Sequence, residues 1–406
     1  MIIDHLDEPL PGSSLRPTPP GVAYTDPEIF TQEQAEIFEK QWNCVLRADS
    51  LPQAGTWKTV TVGREEIIVV RTRKAGIAAY YNVCRHRGMR ICTTGEGRSK
   101  TLKCGYHAWT YALEGELVAA PNLTSMPDVD QEAYGLRPVH VREWLGYVWV
   151  CLAEEPPNFD EAVLGEVRTS FGEVESIDNY GIENLACGET KTYDVQANWK
   201  LIIENFMECY HCATIHPELT EVIPEFADGL ASQRKDGVVH GASFGDEITG
   251  FTVDGSSGVA EIPAIAPDQE RKYYAITVRP QVFINTVPDH VIIHRMFPVS
   301  ESRTIVSATG SSFRRWWRRS TPEPSTSPSR WSCSTGSMNR TSRPVSTPSP
   351  RCPPAPTPPG EHSFPASITS ASSTTGGTRR WDGAPPSRSA TSRRRRHRPE
   401  HAHQCV

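Results

Sequence analysis

Two short segments decide how this 406-residue chain folds: Cys84-Arg85-His86-Arg87-Gly88 and Cys104-Gly105-Tyr106-His107-Ala108-Trp109. They contain a Cys-x-His pair and a Cys-x2-His pair with seventeen residues between them. Two thiolates and two imidazoles can complete the ligand set of a [2Fe–2S] cluster, with the cysteines on one iron and the histidines on the other. Zinc takes the same four ligands and is common in short Cys/His patterns, so the spacing alone leaves both metals open.

The sequence around these segments predicts a small all-β domain. Short β-rich runs alternate with glycine-containing turns at residues 57–62, 67–71, 77–83, 102 and 147–151. We expect Gly88 and Gly105 to let the backbone turn tightly beside the metal, because glycine adopts conformations that other residues avoid. Before this domain, Asp26 and Pro27 predict the start of a helix.

A second group of metal-binding residue types follows a helix predicted to begin near Asn198. It contains Glu208, His211 and His216. Two histidines five residues apart do not share one face of a straight helix, so we expect the chain to bend between them. A histidine pair alone is more often structural, but a redox-type pattern upstream favours a metal. Two imidazoles and one carboxylate around Fe(II) leave open positions for oxygen and substrate.

Strands predicted at residues 273–278, 282–287, 291–296 and 303–306 give the second region an antiparallel sheet. The fold class predicted for the whole chain is therefore α+β.

Both patterns resemble those of Rieske non-haem iron oxygenase alpha subunits, in the ring-hydroxylating oxygenase family. The resemblance covers roughly residues 20–306, although many members have Pro where Gly105 stands. It implies a small Rieske domain and a helix-grip type catalytic domain. It also implies ligands for two metal groups: Cys84, His86, Cys104 and His107 for a [2Fe–2S] Rieske cluster, and His211 and His216 for mononuclear Fe(II).

Glu208 stands where most members of the family have Asp. By resemblance, it is the catalytic carboxylate that bridges the mononuclear iron and a Rieske histidine of a neighbouring subunit in a homotrimer. Glu rather than Asp, in the run Glu-Cys-Tyr-His-Cys-Ala-Thr-Ile-His-Pro, resembles the subgroup that acts on glycine betaine, carnitine and related quaternary amines. The alternative is an ordinary exposed glutamate on a helix.

The resemblance also implies an activity. An oxidoreductase of this subgroup would use O2 to hydroxylate an N-methyl group, and the product would lose formaldehyde. Electrons would come from NAD(P)H through a separate flavin/ferredoxin-type reductase. A quaternary ammonium group cannot donate a hydrogen bond from nitrogen, so an aromatic pocket is the expected recognition mode. Candidate walls, each equally explained by core packing, are Tyr193, Phe244, Tyr273, Tyr274 and Phe283.

Two other functions stay open from the sequence. The same cofactors would serve an aromatic-ring dihydroxylating dioxygenase. A zinc-stabilised module with a basic arm would instead bind nucleic acid through phosphate contacts.

The composition favours a cytoplasmic enzyme with neither a membrane nor a nucleic-acid partner. The first residues are acidic and lack the pattern of a secretory signal, and no run of about eighteen apolar residues occurs. In that compartment the eleven cysteines are expected to be thiols or metal ligands.

Residues 307–406 differ sharply from the rest of the chain. They hold sixteen Arg, no Lys and four acidic residues, a net charge of +12, which leaves −18 for residues 1–306. The change follows a predicted strand directly. Regrouping plausible codons for residues 307–313 by one base gives Cys-Asp-Trp-Leu-Phe-Leu, a good strand. We therefore expect residues 307–406 to be an out-of-frame, low-complexity basic tail that is disordered.

The shifted frame matters for the iron site, because the family supplies its third ligand, an Asp, from a helix that would begin at residues 339–342. This chain has Asn339, Arg340, Thr341 and Ser342 there, and Asp382 matches no family motif. The chain as written is therefore expected to be inactive. The predicted organisation is an N-terminal segment and helix (1–43), a Rieske domain (44–152), a truncated catalytic domain (153–306) and the tail (307–406).

Overall fold

The computed structural model describes residues 18–125, 130–171, 175–229, 233–235, 238–252, 255–257 and 259–313. All of them lie in one compact unit, Met1–Thr347. The predicted tail beyond residue 313, with its expected disorder and the positions 339–342, lies outside the described residues.

The described residues form eighteen strands and seven α-helices. The strands are β1 (Asn43–Arg47), β2 (Thr56–Val62), β3 (Glu65–Arg71), β4 (Ile77–Tyr81), β5 (Glu96–Arg98), β6 (Leu102–Lys103), β7 (Thr110–Tyr111), β8 (Leu117–Ala119), β9 (Pro138–Trp144), β10 (Tyr147–Cys151), β11 (Ala186–Val195), β12 (Gln233–Lys235), β13 (Val238–His240), β14 (Ala242–Ser243), β15 (Lys272–Val278), β16 (Val282–Val287), β17 (His290–Ser300) and β18 (Arg303–Ser312). The helices are α1 (Val22–Thr25), α2 (Pro27–Glu33), α3 (Gly165–Phe171), α4 (Glu175–Asp178), α5 (Trp199–Phe206), α6 (Cys212–Ile215) and α7 (Pro217–Val222).

The first half of the chain is the predicted all-β region. One sheet has the strand order β1-β10-β9-β4-β3-β2-β5, and a smaller one has the order β6-β7-β8. All of these pairs are antiparallel. The loop after β4 and the loop between β6 and β7 carry the two Cys/His segments, so the two sheets bring together residues that are distant in sequence.

The second half is built on a six-stranded antiparallel sheet with the order β11-β18-β17-β16-β15-β14. Helix α5 packs on one face through Trp199 and Ile203, which share an apolar cluster with Phe283 and Ile292 of the sheet. The α+β class predicted from the sequence is confirmed.

The N-terminal helix begins where the sequence predicts. Asp26 caps α2 by accepting hydrogen bonds from the backbone N–H groups of Glu28 (2.7 Å) and Ile29 (3.3 Å). After one π-helical turn, Phe38 packs edge-on against Trp199 with ring centroids 5.0 Å apart. The helix therefore supports α5, which leads into the predicted iron site.

The segment 153–186, at the start of the predicted catalytic domain, contains α3, α4 and a π-helical turn at Asp160–Leu164. Its apolar residues Val163, Val167 and Phe171 join the largest core cluster. Acidic residues on the exposed faces hide this apolar pattern. The segment therefore covers a sheet rather than merely linking two domains.

The two halves share a core. Tyr147 and Trp149 of β10 belong to the same apolar cluster as Ile276, Ile284 and Ile293 of the second sheet. The cluster thus fixes the first half against the second.

Two buried arginines cross the same boundary. Arg295 donates to the Val45 carbonyl oxygen (2.7 Å) and to Ser307 Oγ (3.0 Å). Arg47 donates to Ser311 Oγ (2.9 Å). The prediction that the disordered tail begins at residue 307 is therefore wrong for residues 307–312, which extend strand β18 and contact the first half.

Every helix in the described ranges is too short or too polar to span a lipid bilayer.

Removing the Trp149 side chain is expected to destabilise the shared core. Trp149 is 2% exposed, so Trp149→Ala should cost about 3–5 kcal/mol of unfolding free energy. For a chain of this size that corresponds to a Tm roughly 5 °C lower in a thermal melt. Val118→Ala, at a half-exposed position, is the control and should change Tm little. An unchanged Tm for Trp149→Ala would contradict the shared core.

Candidate functional site

The two Cys/His segments form two loops of the same design. The Cys84 N–H donates to the Met89 carbonyl oxygen (2.8 Å), and the Cys104 N–H donates to the Trp109 carbonyl oxygen (2.8 Å). Each bond closes a six-residue loop that starts at a cysteine. The loops meet at their histidines, because the His86 and His107 rings lie 4.6 Å apart, centroid to centroid.

The four side chains differ in burial by residue type. Cys84 and Cys104 are 3% and 2% exposed, whereas His86 and His107 are exposed. Desolvation and the neighbouring His107 lower the pKa of His86. This favours the neutral imidazole, the form that binds a metal. The arrangement has a buried sulfur side and an exposed nitrogen side, as a two-iron cluster with one ligand type on each iron requires.

Side chains outside the motif hold the first loop. The Asn82 Oδ1 atom accepts from the backbone N–H groups of Ile91 (3.0 Å) and Cys92 (2.9 Å). The Tyr111 hydroxyl accepts from the Arg85 N–H (3.0 Å) and lies 3.3 Å from the Cys84 sulfur. Its O–H can therefore donate to that sulfur and stabilise negative charge there.

One glycine expectation is confirmed and the other is wrong. Gly88 has φ +70°, in the left-handed region that favours glycine. Gly105 lies outside that region, and a Cβ there would meet no atom within 4 Å. In the second loop it is Ala108 that adopts a positive φ, +60°. The backbone at Gly105 therefore needs no glycine.

The zinc alternative needs all four donors around one ion. The separation of two buried sulfurs from two exposed imidazoles is the arrangement expected for a cluster with one donor type on each iron.

The second histidine pair lies at the two ends of a single helical turn. Helix α5 is capped by Asn198, whose Oδ1 accepts from the Lys200 N–H (3.0 Å), and the chain turns after Phe206. His211 and His216 then flank α6. Their rings lie 5.3 Å apart at an angle of 83°. The bend expected between the two histidines is present, and it brings the two rings together.

Glu208 is hydrogen-bonded to the first of these histidines. His211 Nδ1 lies 2.5 Å from Glu208 Oε1, and the second carboxylate oxygen accepts from the Tyr210 N–H. With Nδ1 as the donor, the Nε2 atom of His211 keeps its lone pair for a metal. The Glu208 side chain is 44% exposed, so it also faces outward. Glu208 is exposed, as the alternative of an ordinary surface glutamate requires, but it lies outside a helix and is hydrogen-bonded to His211.

A cavity of about 60 Å³ adjoins both histidines. Its described lining residues include Glu208 as the one carboxylate and five aromatic side chains: Phe206, Phe226, Phe251, Tyr273 and Phe283. Of the five predicted walls, Tyr273 and Phe283 are therefore present. Tyr193, Phe244 and Tyr274 belong instead to the apolar clusters of the core.

A buried polar chain anchors Tyr273 from behind. Burial lowers the pKa of His294 to about 3, so its imidazole is neutral. His294 Nε2 lies 3.1 Å from Asn285 Oδ1, and the Asn285 amide donates to the Tyr273 hydroxyl oxygen. These contacts fix one wall of the cavity.

Sequence reasoning missed Tyr111, Asn82, Phe226, Phe251 and Asn285. Phe226, Phe251 and Asn285 reach the cavity through long-range packing, and their neighbours in sequence carry no motif. Asn82 and Tyr111 had a detectable signal, since they lie two residues before the first Cys/His segment and two residues after the second.

Fold and sites together define an oxygenase catalytic subunit with a Rieske-type domain beside a histidine-bearing sheet domain. The chain matches the family model of the Rieske [2Fe-2S] domain over residues 41–132. It matches that of the ring hydroxylating alpha subunit (catalytic domain) over residues 182–314. The chain belongs to the Rieske-type ring-hydroxylating oxygenase alpha subunits, which are oxidoreductases.

Similar proteins agree with this family. The glycine betaine monooxygenase oxygenase subunit of Pseudomonas aeruginosa (strain UCBPP-PA14) is 32% identical over 314 residues, 70% of this chain and 71% of the relative. The carnitine monooxygenase oxygenase subunit of Escherichia coli (strain K12) is 32% identical over 210 residues, 51% of this chain and 54% of the relative.

Two solved structures share the fold. The quaternary ammonium Rieske monooxygenase CntA, in complex with an inhibitor, has a TM-score of 0.58 and 22% identity, covering 80% of this chain and 83% of its own. Naphthalene 1,2-dioxygenase from Rhodococcus sp. has a TM-score of 0.59 and 19% identity, covering 74% and 75%. The two matched domains imply a Rieske cluster and a mononuclear iron.

Removing the Tyr111 hydroxyl should make the cluster harder to reduce. A hydrogen bond to a charged group is worth about 1.5–3 kcal/mol, and about 1.4 kcal/mol corresponds to 59 mV for one electron. Tyr111→Phe should therefore lower the reduction potential by roughly 60–120 mV in a redox titration followed by electron paramagnetic resonance. Tyr134→Phe is the control, because Tyr134 contacts the Trp109 ring. Equal potentials in the two variants would show that Tyr111 does not donate to the sulfur.

Proposed function

We propose that this chain is the oxygenase component of an enzyme that hydroxylates an N-methyl group of a quaternary ammonium compound, with glycine betaine as the first substrate to test. The observation that carries the proposal is the cavity that joins Glu208 and two histidines to five aromatic walls. The names of the relatives, glycine betaine and carnitine monooxygenase oxygenase subunits, support the substrate class.

The donor sets fit the two metal groups. Cys84, His86, Cys104 and His107 would hold the [2Fe–2S] cluster, and His211 and His216 would bind Fe(II). When bound, these groups supply electron transfer and oxygen activation. Hydroxylation of an N-methyl carbon gives a carbinolamine, which breaks down to formaldehyde and the demethylated amine. Demethylation therefore needs no separate hydrolytic residues.

Glu208 keeps the first histidine ready for the metal. By accepting from His211 Nδ1, it sets the tautomer in which Nε2 is a ligand, and it fixes the orientation of the ring. Because its side chain is partly exposed, it can also receive a hydrogen bond from another subunit.

The aromatic walls suit a cation without N–H donors. Phe206 and Phe283 are stacked with centroids 4.5 Å apart. The centroid of the Tyr273 ring lies 5.4 Å from that of Phe226 and 5.0 Å from that of Phe251. The faces of such rings attract a quaternary ammonium group. They also exclude water, which leaves the N-methyl groups as the part of the substrate nearest the histidines.

The electron path is proposed to cross between subunits of a homotrimer. Tyr210 and Met207, which flank Glu208, are 89% and 56% exposed, and Tyr106 beside His107 is 58% exposed. Large exposed apolar side chains around both sites are typical of surfaces that are buried in an assembly. An opening of about 600 Å³ beside His86 and His107 leaves room for such a contact.

The first electrons are proposed to come from NAD(P)H through a separate flavin/ferredoxin-type reductase. This part of the proposal rests on the family, whose relatives are named as oxygenase subunits of a larger enzyme.

The mononuclear iron site is proposed to be incomplete in the chain as written. Its described cavity offers Glu208, which is engaged by His211, and no other carboxylate. Residues 339–342 contain no acidic side chain. We propose that the codons after Val306 are read out of frame and that the native frame supplies an aspartate ligand. Sequencing the DNA across that codon tests this directly.

Iron content should separate the two forms of the chain. As written, anaerobically purified protein should contain about two iron atoms per chain and show the spectrum of a reduced Rieske cluster. With the frame restored, about three irons are expected. Glycine betaine, NAD(P)H and a reductase should then yield formaldehyde. The restored chain with His211→Ala is the control and should lose the third iron. Zinc in place of iron, or a diol from an arene with no product from betaine, would overturn the proposal.

Glu208→Gln should slow the transfer of electrons without removing metal. In the restored chain we expect the rate at which O2 and substrate reoxidise the reduced cluster to fall by about 10–100-fold. Stopped-flow absorbance measures this rate. Glu221→Gln, at an exposed position on α7, is the matched control. If the cluster of Glu208→Gln is reoxidised at the wild-type rate, Glu208 has only a structural role.

A further inference from the structure

Two cysteines flank the first histidine of the iron site. Cys209 and Cys212 are separated by one turn, in which the Cys212 N–H donates to the Cys209 carbonyl oxygen (3.0 Å). The neighbouring Cys212 thiol and burial together raise the pKa of Cys209. Both belong to the same buried apolar cluster, and the role of His211 and Glu208 requires neither.

The two cysteines border the cavity and are otherwise buried. Cys209 and Cys212 are 7% and 2% exposed, and both line the cavity that contains His211 and His216. Among the cysteines in the described ranges, Cys187 is the exposed one, so an oxidant in bulk solvent would meet it before the pair. An oxidant inside the cavity would meet the pair.

We propose that Cys209 and Cys212 form a reversible oxidation site, which hydrogen peroxide inside the cavity converts into an intramolecular disulfide. The source of the peroxide rests on the proposed function, since O2 that is reduced without oxidising a substrate leaves as peroxide. The existence of the site rests on the cavity and the turn alone.

The reaction balances with peroxide as the only oxidant. One thiol loses its proton and attacks a peroxide oxygen as the thiolate, the O–O bond breaks, and the leaving hydroxide takes up the proton, which gives a sulfenic acid and water. The second thiol attacks that sulfur, an S–S bond forms, and a second water leaves. Two thiols and one peroxide thus give one disulfide and two waters. A thiol reductant reverses the change.

The turn between Cys209 and Cys212 has dimensions that suit a disulfide. A disulfide joins residues whose Cα atoms are about 4.4–6.8 Å apart, and the end residues of a tight turn lie within about 7 Å of each other. Both side chains line the same cavity and belong to the same apolar cluster, so they lie on the same side of the turn. The bond would close the turn that carries His211 and consume peroxide beside the histidines.

Peptide mapping tests the inference. Residues 201–234 form one tryptic peptide, which contains both cysteines. The cluster-loaded chain is treated with hydrogen peroxide, its free thiols are alkylated, and the peptide is analysed by mass spectrometry. We expect a species that has lost two hydrogen atoms and carries no alkyl group, and dithiothreitol should restore two alkylation sites. Cys209→Ser should instead give a trappable sulfenic acid at Cys212.

Cys187→Ser is the matched control and should leave the disulfide yield unchanged. The inference fails if the pair stays reduced while Cys187 oxidises, or if both sulfurs reach sulfinic acid without bonding. The peptides that contain Cys84 and Cys104 show separately whether the cluster has survived, because a Cys84–Cys104 disulfide can form only after the cluster is lost. A disulfide at Cys209–Cys212 in a chain that never binds iron would support this site and refute the proposed function.

Discussion

A [2Fe–2S] cluster held by two loops requires sulfur donors that are shielded from water and nitrogen donors that reach the surface. This chain meets both demands with strand pairing. The loop after β4 and the loop between β6 and β7 bury Cys84 and Cys104 and expose His86 and His107. Electrons can then enter and leave on the histidine side, while the sulfurs remain shielded from water. The rest of the first domain, including Asn82 and Tyr111, holds this arrangement in place.

The second site obeys a related constraint. For two histidines five residues apart to bind the proposed iron together, the helix has to break. Helix α5 ends at Phe206, the short helix α6 lies between the two histidines, and Pro217 begins the next helix directly after His216. Glu208 accepts a hydrogen bond from Nδ1 of His211. This bond links the carboxylate to the proposed metal site and leaves the Glu208 side chain partly exposed.

Much of the fold could be predicted from the sequence, because apolar alternation is strong in the buried strands. Strand β16 matches its predicted range of 282–287. Strand β11 was not predicted, since it alternates weakly and its side chains are mostly polar. For the sites, local spacing predicted the histidines and cysteines. It could not predict Phe226, Phe251 or Asn285, which reach the cavity through loops and sheet register. The prediction for Gly105 failed for a different reason. A glycine there suggested a left-handed backbone conformation, but the residue with a positive φ in that loop is Ala108.

The buried Arg295 bears on the question of reading frame. Its Nε has no hydrogen-bond partner among the described residues, and its nearest polar contact on β18 is the neutral hydroxyl of Ser307. A buried guanidinium without a counter-ion costs several kcal/mol. In the regrouped codons the aspartate falls at the position of Thr309, between Ser307 and Ser311, and alternate strand residues share a face. Under the proposed frameshift, restoring the frame would therefore place a counter-ion for Arg295 at the joint between the two halves, in addition to the proposed iron ligand.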